Sequence, residues 1–453
     1  MRVIIVGVGK VGRAICQDLA EDGNDIVLIE ERESILNNLV NVMDVTGIVG
    51  NGADYDSLLQ ADVQHCDVFI AVTHQDEINI ISCILAKKMG AKFTIARVRD
   101  LEYAGHQEFM RSTVGIDVLI NPERESAKYI MNLLRFPSAA NVESFARGRV
   151  NIVEYTLPKG HSFCGMSLKD FQARVAGHLL VCIVERNGHV IIPFGDFVLT
   201  EGDILHLTGS NEHLIEFFNK ETAIKQKIQS VMLIGAGRLT HYLLEQLEKE
   251  KLCKYMKVLE NRAEAAEKLA ILHPSVPISL ADGSVHEVLL EEGMPHYDAL
   301  VALTGIDEEN ILIAIFANKM GVAKSIAKVN RTQLLGILET GALQSFITPK
   351  NIIADIILRL VRSVADVRGT NVEELYRMAH NQVESLEFYV DENAKIVNQR
   401  ISEMSLRDNL VIAAIVRGKK VISPNGQDML QKGDHLVVVT TEHSLRGIDD
   451  ILK

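Results

Sequence analysis

The segment DVFIAVTHQDEINIISCILAKKMG, beginning at Asp67, recurs without a gap as DALVALTGIDEENILIAIFANKMG, beginning at Asp298. A repeat of this length constrains the fold more than any local motif, because both copies must fold as the same unit. The match extends in both directions. VIIVGVGKVG from Val3 returns as VMLIGAGRLT from Val231, LIEERE from Leu28 as VLENRAE from Val258, and ARV from Ala96 as AKV from Ala327. A fainter repeat follows each large unit. MSLKD from Met166 answers MSLRD from Met404, and EGDILHLTGS from Glu201 answers KGDHLVVVTT from Lys432. The order is large, small, large, small, with expected domains at 1–135, 141–225, 228–362 and 371–453.

The large unit alternates short apolar runs with helical patterns. Val3 to Val6, Ile26 to Ile29, Val45 to Val49, Val68 to Val72 and Phe93 to Val98 have strand length and β-branched content. Between them, Val11, Ile15 and Leu19 share one helical face, and Ile78, Ile81, Leu85 and Met89 another. Such alternation predicts an α/β, doubly wound parallel sheet covered on both faces, a Rossmann-type domain. With no Trp and only 5% aromatic residues, the cores must be aliphatic, as such sheets are. Asn121-Pro122 and Thr348-Pro349 each predict an N-cap with proline at the first helical position, opening a helix that leaves the large domain. The first of these helices carries Ile130, Met131, Leu133 and Leu134, available for packing on another lobe. In the small unit, Asn187-Gly188 divides two β-like runs and predicts a tight hairpin. Gly418 marks the equivalent turn in the second copy, so a small α+β domain rich in antiparallel pairs is expected.

Gly7, Gly9 and Gly12 follow the first strand and open the first helix, the context that gives a G-x-G-x-x-G pattern meaning. Gly7 permits the tight turn, Gly9 lets the backbone approach a pyrophosphate, and Gly12 lets helix and sheet pack closely. The pyrophosphate then meets free N–H groups and the positive end of the helix dipole. Glu30 ends the second strand, where an acid accepts hydrogen bonds from the adenosine ribose and repels a 2′-phosphate, favouring NAD(H) over NADP(H). Thr73 and His74 follow the fourth strand and should line the crevice, with Asp76 as N-cap of the next helix. Arg97 and Arg99 alternate at the end of the fifth strand. Arg97, which Lys328 matches in the second copy, is the better phosphate ligand, leaving Arg99 to pair on the surface. The second site keeps Gly235, Gly237, Glu260 and the crevice turn Thr304, Asp307, Glu308 and Asn310. Thr240 replaces its third glycine, which should hinder close packing and alter the preference of the site.

Composition excludes several alternatives. A net charge of −13 argues against nucleic acid as the main partner, since phosphate binding needs a concentrated basic surface. Cys16, Cys66, Cys83, Cys164, Cys182 and Cys253 are scattered, form no C-x-x-C pair, and read as reduced thiols of a cytosolic protein. No His/Cys cluster has ligand-like spacing, so no metal site is expected; adjacent His65 and Cys66 do not make one. No apolar run reaches the roughly 18 residues of a membrane span, and the first strand starts too near Met1 for a signal peptide.

With these motifs in place, the chain resembles the TrkA family of Trk potassium-uptake regulators, whose chains carry two RCK units (regulator of potassium conductance). The resemblance rests on GVGKVG at Gly7, Glu30, THQDEIN at Thr73, IARVR at Ile95, the MSL and GD motifs, and the repetition of the whole, over essentially all 453 residues. It implies a peripheral subunit on the cytoplasmic face of the cell membrane that gates a TrkH/TrkG-like potassium transporter subunit. It further implies binding of NAD(H), and of ATP or ADP, and assembly of several chains as a tetramer ring. Carried over to matching positions, the nucleotide contacts are Gly7, Val8, Gly9, Lys10, Val11, Glu30, Thr73 and Arg97. In the second copy they are Gly235, Ala236, Gly237, Arg238, Leu239 and Glu260. Thr240 and Asn330 depart from the pattern and leave the nucleotide preference of the second site open.

The rival reading is an NAD-dependent dehydrogenase, which would need a general acid or base in a substrate pocket. His161, His178, His189 and His206 have no histidine counterparts in the second copy and read as structural or surface groups. A duplicated binding domain without duplicated catalytic residues fits a sensor better than an enzyme.

Overall fold

The structure, a computed structural model, describes residues 1–100, 103, 109–221, 227–338, 343–365, 372–379, 382–442, 445 and 447–453. The expected domain ends at 225 and 371 lie outside the described residues. The first sheet is parallel and consists of β1 (Arg2–Val6), β2 (Asp25–Glu30), β3 (Thr46–Val49), β4 (Val68–Ala71), β5 (Phe93–Arg97) and β6 (Val118–Ile120). Its order is β3-β2-β1-β4-β5-β6, so the chain reverses direction of travel across the sheet between β1 and β4. β6, only three residues long, was not expected from the sequence; VLI is too short to stand out as a strand.

The helices of this unit are α1 (Lys10–Glu21), α2 (Glu33–Val40), α3 (Tyr55–Gln60), α4 (Asp76–Met89) and the exit helix α5 (Pro122–Arg135). α1 buries Gly12, Ile15, Cys16 and Leu19 on the sheet, close to the expected face. α4 differs from expectation. It buries Asn79, Ser82, Cys83 and Ala86, while Ile81 is exposed. Small residues let this helix lie close to the sheet, so the larger apolar residues turn partly outward. Asp76 is also not the N-cap: Gln75 holds that position without a side-chain bond. The Asp76 carboxylate instead accepts from the amides of Arg99 and Asp100, both at 2.7 Å, tying the helix start to the segment after β5.

The first small domain is a five-stranded antiparallel sheet of β7 (Val142–Phe145), β8 (Val150–Thr156), β9 (Leu179–Arg186), β10 (His189–Ile191) and β11 (Ile204–Ser210), in the order β10-β9-β11-β8-β7. α6 (Leu168–Arg174) and α7 (Asn211–Glu221) cover it. Asn187 and Gly188 both have positive φ (54° and 77°), as the tight β9–β10 hairpin requires.

The second half repeats this plan. β12 (Ser230–Ile234), β13 (Tyr255–Glu260), β14 (Ile278–Leu280), β15 (Ala299–Ala302), β16 (Lys324–Lys328) and β17 (Ser345–Ile347) run in the order β14-β13-β12-β15-β16-β17. Their helices are α8 (Arg238–Glu250), α9 (Ala263–Leu272), α10 (His286–Glu291), α11 (Asp307–Lys319) and the exit helix α12 (Pro349–Ala365). The last sheet is β18 (Val372–Met378), β19 (Val383–Tyr389), β20 (Leu410–Arg417), β21 (Lys420–Ile422) and β22 (Asp434–Thr440), ordered β18-β19-β22-β20-β21. The repeated Gly-Asp motif has a structural reason. Asp203 and Asp434, both fully buried, each accept two bonds from an arginine at the end of the hairpin strand, Arg186 and Arg417, at 2.7–2.8 Å. Bidentate pairs of this kind hold the loop before β11 and β22 in register.

The two halves are interlocked. α5 leaves the first Rossmann domain and packs along α8 of the second, burying Ile130, Met131, Leu133 and Leu134 in a core shared with Leu243, Leu244 and Leu247. In return α12 packs along α1 of the first, adding Ile353, Ile357, Leu358 and Val361 to its core. Arg362 fixes this second crossing with two bonds to Asp22 at 2.8 and 2.9 Å and one to Glu384 at 3.1 Å. The small-domain sheets meet face to face through Phe145, Ile152 and Ile183 against Val383, Val437 and Val439. Among the described residues, no helix is long and apolar enough to cross a membrane.

Candidate functional site

The strand order puts the C-terminal ends of β1 and β4 side by side where the chain reverses, the place at which open α/β sheets bind ligands. The turn from β1 into α1 carries the glycines. Gly7 has φ +89°, and a Cβ there would lie 2.9 Å from Thr73, so turn and crevice wall touch. At Gly9 nothing lies within 4 Å of a Cβ, and the same holds at Gly237, so both loops present bare backbone to open space. Gly12 is the opposite case: a Cβ would sit 2.1 Å from the Gly7 carbonyl oxygen.

Thr240 occupies the matching position, and the packing it was expected to disturb is accommodated. It is fully buried, and its hydroxyl donates to the Gly235 carbonyl at 2.5 Å. The oxygen that would clash with an added methyl in the first copy is the hydrogen-bond partner in the second.

Glu30 closes the other side of the loop. One carboxylate oxygen accepts from the Val8 amide at 2.9 Å, the other from the amide and Nε of Arg32, both at 3.2 Å. Burial pushes the Glu30 carboxyl up, but the Val8 amide and Arg32 outweigh it, and it titrates below its ordinary value. Glu260 repeats the arrangement with Ala236 at 2.6 Å and Arg262 at 3.0 and 3.1 Å, and its carboxyl is likewise lowered. Each carboxylate keeps lone pairs for further donors.

Across the crevice, a buried asparagine holds each turn. Asn79 accepts from the Thr73 amide (2.8 Å) and hydroxyl (2.7 Å), and donates to the carbonyls of Thr73 and Arg97. Asn310 does the same for the Thr304 amide and the carbonyls of Thr304 and Lys328. The repeated T-x-x-x-x-x-N spacing carried this signal, but at Asn79 it went unread.

Arg97 donates through Nη1 to the Thr73 carbonyl at 3.0 Å, and Lys328 through Nζ to the Leu303 carbonyl at 3.3 Å. Arg99 does not pair on the open surface as expected; it binds Glu123 of α5, inside the cleft, with Nε at 2.7 Å.

The two crevices open into one continuous cleft of about 1230 Å³. This exceeds the roughly 300–1,000 Å³ typical of a pocket for one small ligand. Of the expected site residues, Gly7, Gly9, Lys10, Val11, Glu30, Thr73, His74 and Arg97 line it in the first copy. Gly235, Ala236, Gly237, Arg238, Leu239, Glu260 and Thr304 line it in the second. Val8 and Gly12 do not; the Val8 side chain is buried and its amide is committed to Glu30. Sequence reasoning missed Arg32, Asn51, Glu123, Ser126, Asp282, Glu309 and Lys350, which line the cleft as well.

Electrostatically the halves form one unit. Burial first, then Arg99, with a contribution from Arg238 of the other copy, pushes the Arg97 guanidinium down. Lys328 is pushed down by burial, while Asp307 of its own copy and Glu123 of the first push it up. Arg97, Arg99, Arg238 and Lys328 from the two copies converge on a cleft whose buried carboxylates, Glu30 and Glu260, are already paired with Arg32 and Arg262, an arrangement suited to phosphate-bearing ligands.

The TrkA-N domain model matches residues 3–122 and 231–349, and the TrkA-C domain model residues 152–221 and 386–453. The chain belongs to the TrkA family. A Trk system potassium uptake protein TrkA homolog from Archaeoglobus fulgidus is 30% identical, with 100% of both chains covered. The Trk system potassium uptake protein TrkA of Haemophilus influenzae is 27% identical over 98% of this chain and 96% of its own. Among solved structures, the RCK domain of GsuK superposes with a TM-score of 0.61 at 17% identity, covering 97% of this chain and 92% of that one. The GsuK channel bound to NAD gives 0.61 at 16% identity, covering 97% and 77%. At these identities the structural likeness establishes the fold, that of tandem RCK units.

Proposed function

We propose that this chain is the nucleotide-sensing regulatory subunit of a Trk-type potassium uptake system rather than an enzyme. Its first site takes NAD(H), and its second takes another adenine nucleotide such as ATP or ADP. Occupancy of the cleft gates a membrane-embedded, TrkH/TrkG-like transporter subunit, on whose cytoplasmic face the chain docks as a homo-oligomer, a tetramer ring. The residues assigned to nucleotide are those lining the cleft, with Glu30 and Glu260 on the ribose hydroxyls and the glycine loops on the phosphates.

The observation that carries this reading is the interlocked cleft. Two nucleotide loops face one space, and the helix that each loop opens is clamped by the exit helix of the other copy. A ligand that prefers one separation of the two Rossmann domains then shifts their arrangement, as far as its affinity differs between arrangements. The family membership supports the transport context, and the NAD bound by the GsuK channel supports the ligand class. The Glu30 carboxylate argues for NAD(H) over NADP(H), since it would repel a 2′-phosphate.

The test is potassium flux in vesicles containing the transporter subunit, with the purified chain added and NADH, NAD+, ATP and ADP titrated separately. The reading requires a nucleotide-dependent change in flux that Glu30→Ala or Glu260→Ala removes for its own site. Steady turnover of NADH by the chain alone, without partner, would instead favour an oxidoreductase.

A further inference from the structure

Three buried polar atoms of the first copy lack a hydrogen-bond partner and belong to residues that line the cleft: Nε of Arg97, one carboxylate oxygen of Glu123 and the hydroxyl of Ser126. Ser126 is fully buried. Orphaned buried polar groups are costly, so a cluster of them calls for a ligand. The rest of each side chain is already fixed. Arg97 is anchored on the Thr73 carbonyl through Nη1, and the other Glu123 oxygen is held by Arg99. The orphans are therefore one N–H donor, one carboxylate acceptor and one hydroxyl, on rigid supports.

Their place in the fold says which part of a nucleotide they meet. Glu30, at the end of β2, fixes the ribose of the adenosine half, and the loop after β1 takes the pyrophosphate. The remaining half of a dinucleotide must extend toward β4, β5 and β6. Arg97 ends β5, and Glu123 and Ser126 lie in the first turns of α5, which follows β6 directly.

We propose that Arg97, Glu123 and Ser126 form a carboxamide subsite that recognises the nicotinamide ring in the first copy only. The amide oxygen accepts from Arg97 Nε–H; the amide NH2 donates to the free Glu123 oxygen and to Ser126 Oγ. A primary carboxamide satisfies all three orphans together, whereas an adenosine phosphate has no such group to offer. The matching positions of the second copy are Lys328, Lys350 and Ile353. They supply two cations and a methyl-bearing side chain buried in the α1 core, with no acceptor. The acid that does line the second half, Glu309, stands where the first copy has Ile78, and it already accepts from the Thr304 hydroxyl at 3.3 Å. The subsite thus explains why two otherwise matching sites would take different nucleotides. It rests on the assignment of the first site to NAD(H).

The test is calorimetric titration of the full chain carrying Glu260→Ala, which silences the second site, with NAD+, nicotinic acid adenine dinucleotide and ADP-ribose. A carboxylate in place of the amide faces Glu123, so NAD+ is expected to bind at least about tenfold tighter than the nicotinic acid analogue. Glu123→Gln, which can donate to that carboxylate, should collapse this ratio while leaving ADP-ribose affinity within about twofold. Ser126→Ala removes a hydroxyl that has no partner in the free protein, so the fold should be kept. NAD+ affinity should fall about three- to tenfold with ADP-ribose unchanged. Equal affinities for NAD+ and the nicotinic acid analogue, or a ratio untouched by Glu123→Gln, would overturn the subsite while ADP-ribose binding upholds the nucleotide site. Failure of both NAD+ and ADP-ribose to bind would overturn the subsite and the NAD(H) assignment together.

Discussion

Asn121, the N-cap of the first exit helix, donates through Nδ2 to the hydroxyl of Tyr242 on α8 of the second copy, at 2.9 Å and buried from solvent. The same asparagine caps α5 by accepting from the Arg124 amide at 2.9 Å. One side chain therefore starts the helix that leaves the first nucleotide domain and attaches it to the glycine-loop helix of the second. The two glycine loops border one cleft although some 230 residues separate them in sequence.

Tyr242→Phe keeps the ring in its packing and deletes this link. Asn121 Nδ2 then retains only the Arg99 carbonyl at 3.3 Å. The loss of one buried hydrogen bond should cost about 1 kcal/mol, read as a lower urea midpoint with an unchanged slope. An unchanged midpoint would mean that the α5–α8 crossing is held by apolar packing alone.

Gly9→Ala and Gly237→Ala separate folding from binding. Both added methyls enter open space, and Gly9, with φ −70°, is already in a conformation open to alanine. Thermal stability should be unaffected. Nucleotide affinity should fall at least about tenfold at the altered site alone, because the methyl stands where the pyrophosphate approaches. Full affinity in either variant would remove that loop from the binding surface.

The third position of the motif behaves differently in the two copies. Gly12→Ala drives a methyl into the Gly7 carbonyl and should destabilise the fold by roughly 2–4 kcal/mol, as overpacking against rigid backbone does. Thr240→Val keeps the shape but leaves the Gly235 carbonyl without its hydroxyl donor, a loss of about 1–2 kcal/mol. Paired denaturation curves decide the matter; a Gly12→Ala protein as stable as wild type would contradict the close approach.

Lys324 predicts a pH dependence. It opens β16, is 1% exposed, and donates to the Ala139 carbonyl at 2.6 Å and to Ser345 Oγ at 2.7 Å, tying the linker after α5 to the second Rossmann sheet. Burial pushes its ammonium down to about 7. The unfolded lysine keeps its proton up to its ordinary value, about 10.4. Between those values the unfolded state binds the extra proton, so this group makes stability rise with pH above about 7 and leaves it flat below. Lys324→Met should lose that rise, on the order of 1.4 kcal/mol per pH unit between pH 7 and 9. Parallel urea-midpoint profiles for wild type and variant across pH 6–9 would refute it.

Much of this was legible in the sequence because duplication supplies its own control. Gly7, Glu30 and Thr73 were identified from their places at strand ends, and their recurrence at the same offset as Gly235, Glu260 and Thr304 in an otherwise diverged copy points to backbone geometry. The cleft itself was not legible. It forms where α5 and α12 exchange partners, and apolar residues such as Leu133 and Ile357 announce burial without saying against which lobe. The α4 face was misjudged because helical periodicity was counted on large residues, whereas the buried stripe is Asn79, Ser82, Cys83 and Ala86, chosen for close approach to the sheet. Glu123 and Ser126 escaped notice because their counterparts, Lys350 and Ile353, differ, and a comparison of copies finds what is kept rather than what is made unequal.

The central claim is that nucleotide in the cleft changes how the two Rossmann domains sit relative to each other. The direct measurement is the distance between spin labels at Lys88, in α4, and Lys319, in α11, both exposed, by pulsed electron resonance on the full chain with and without saturating NADH or ATP. The account predicts a ligand-dependent shift of the distance distribution, abolished for NADH by Glu30→Ala. Identical distributions with nucleotide demonstrably bound would contradict it.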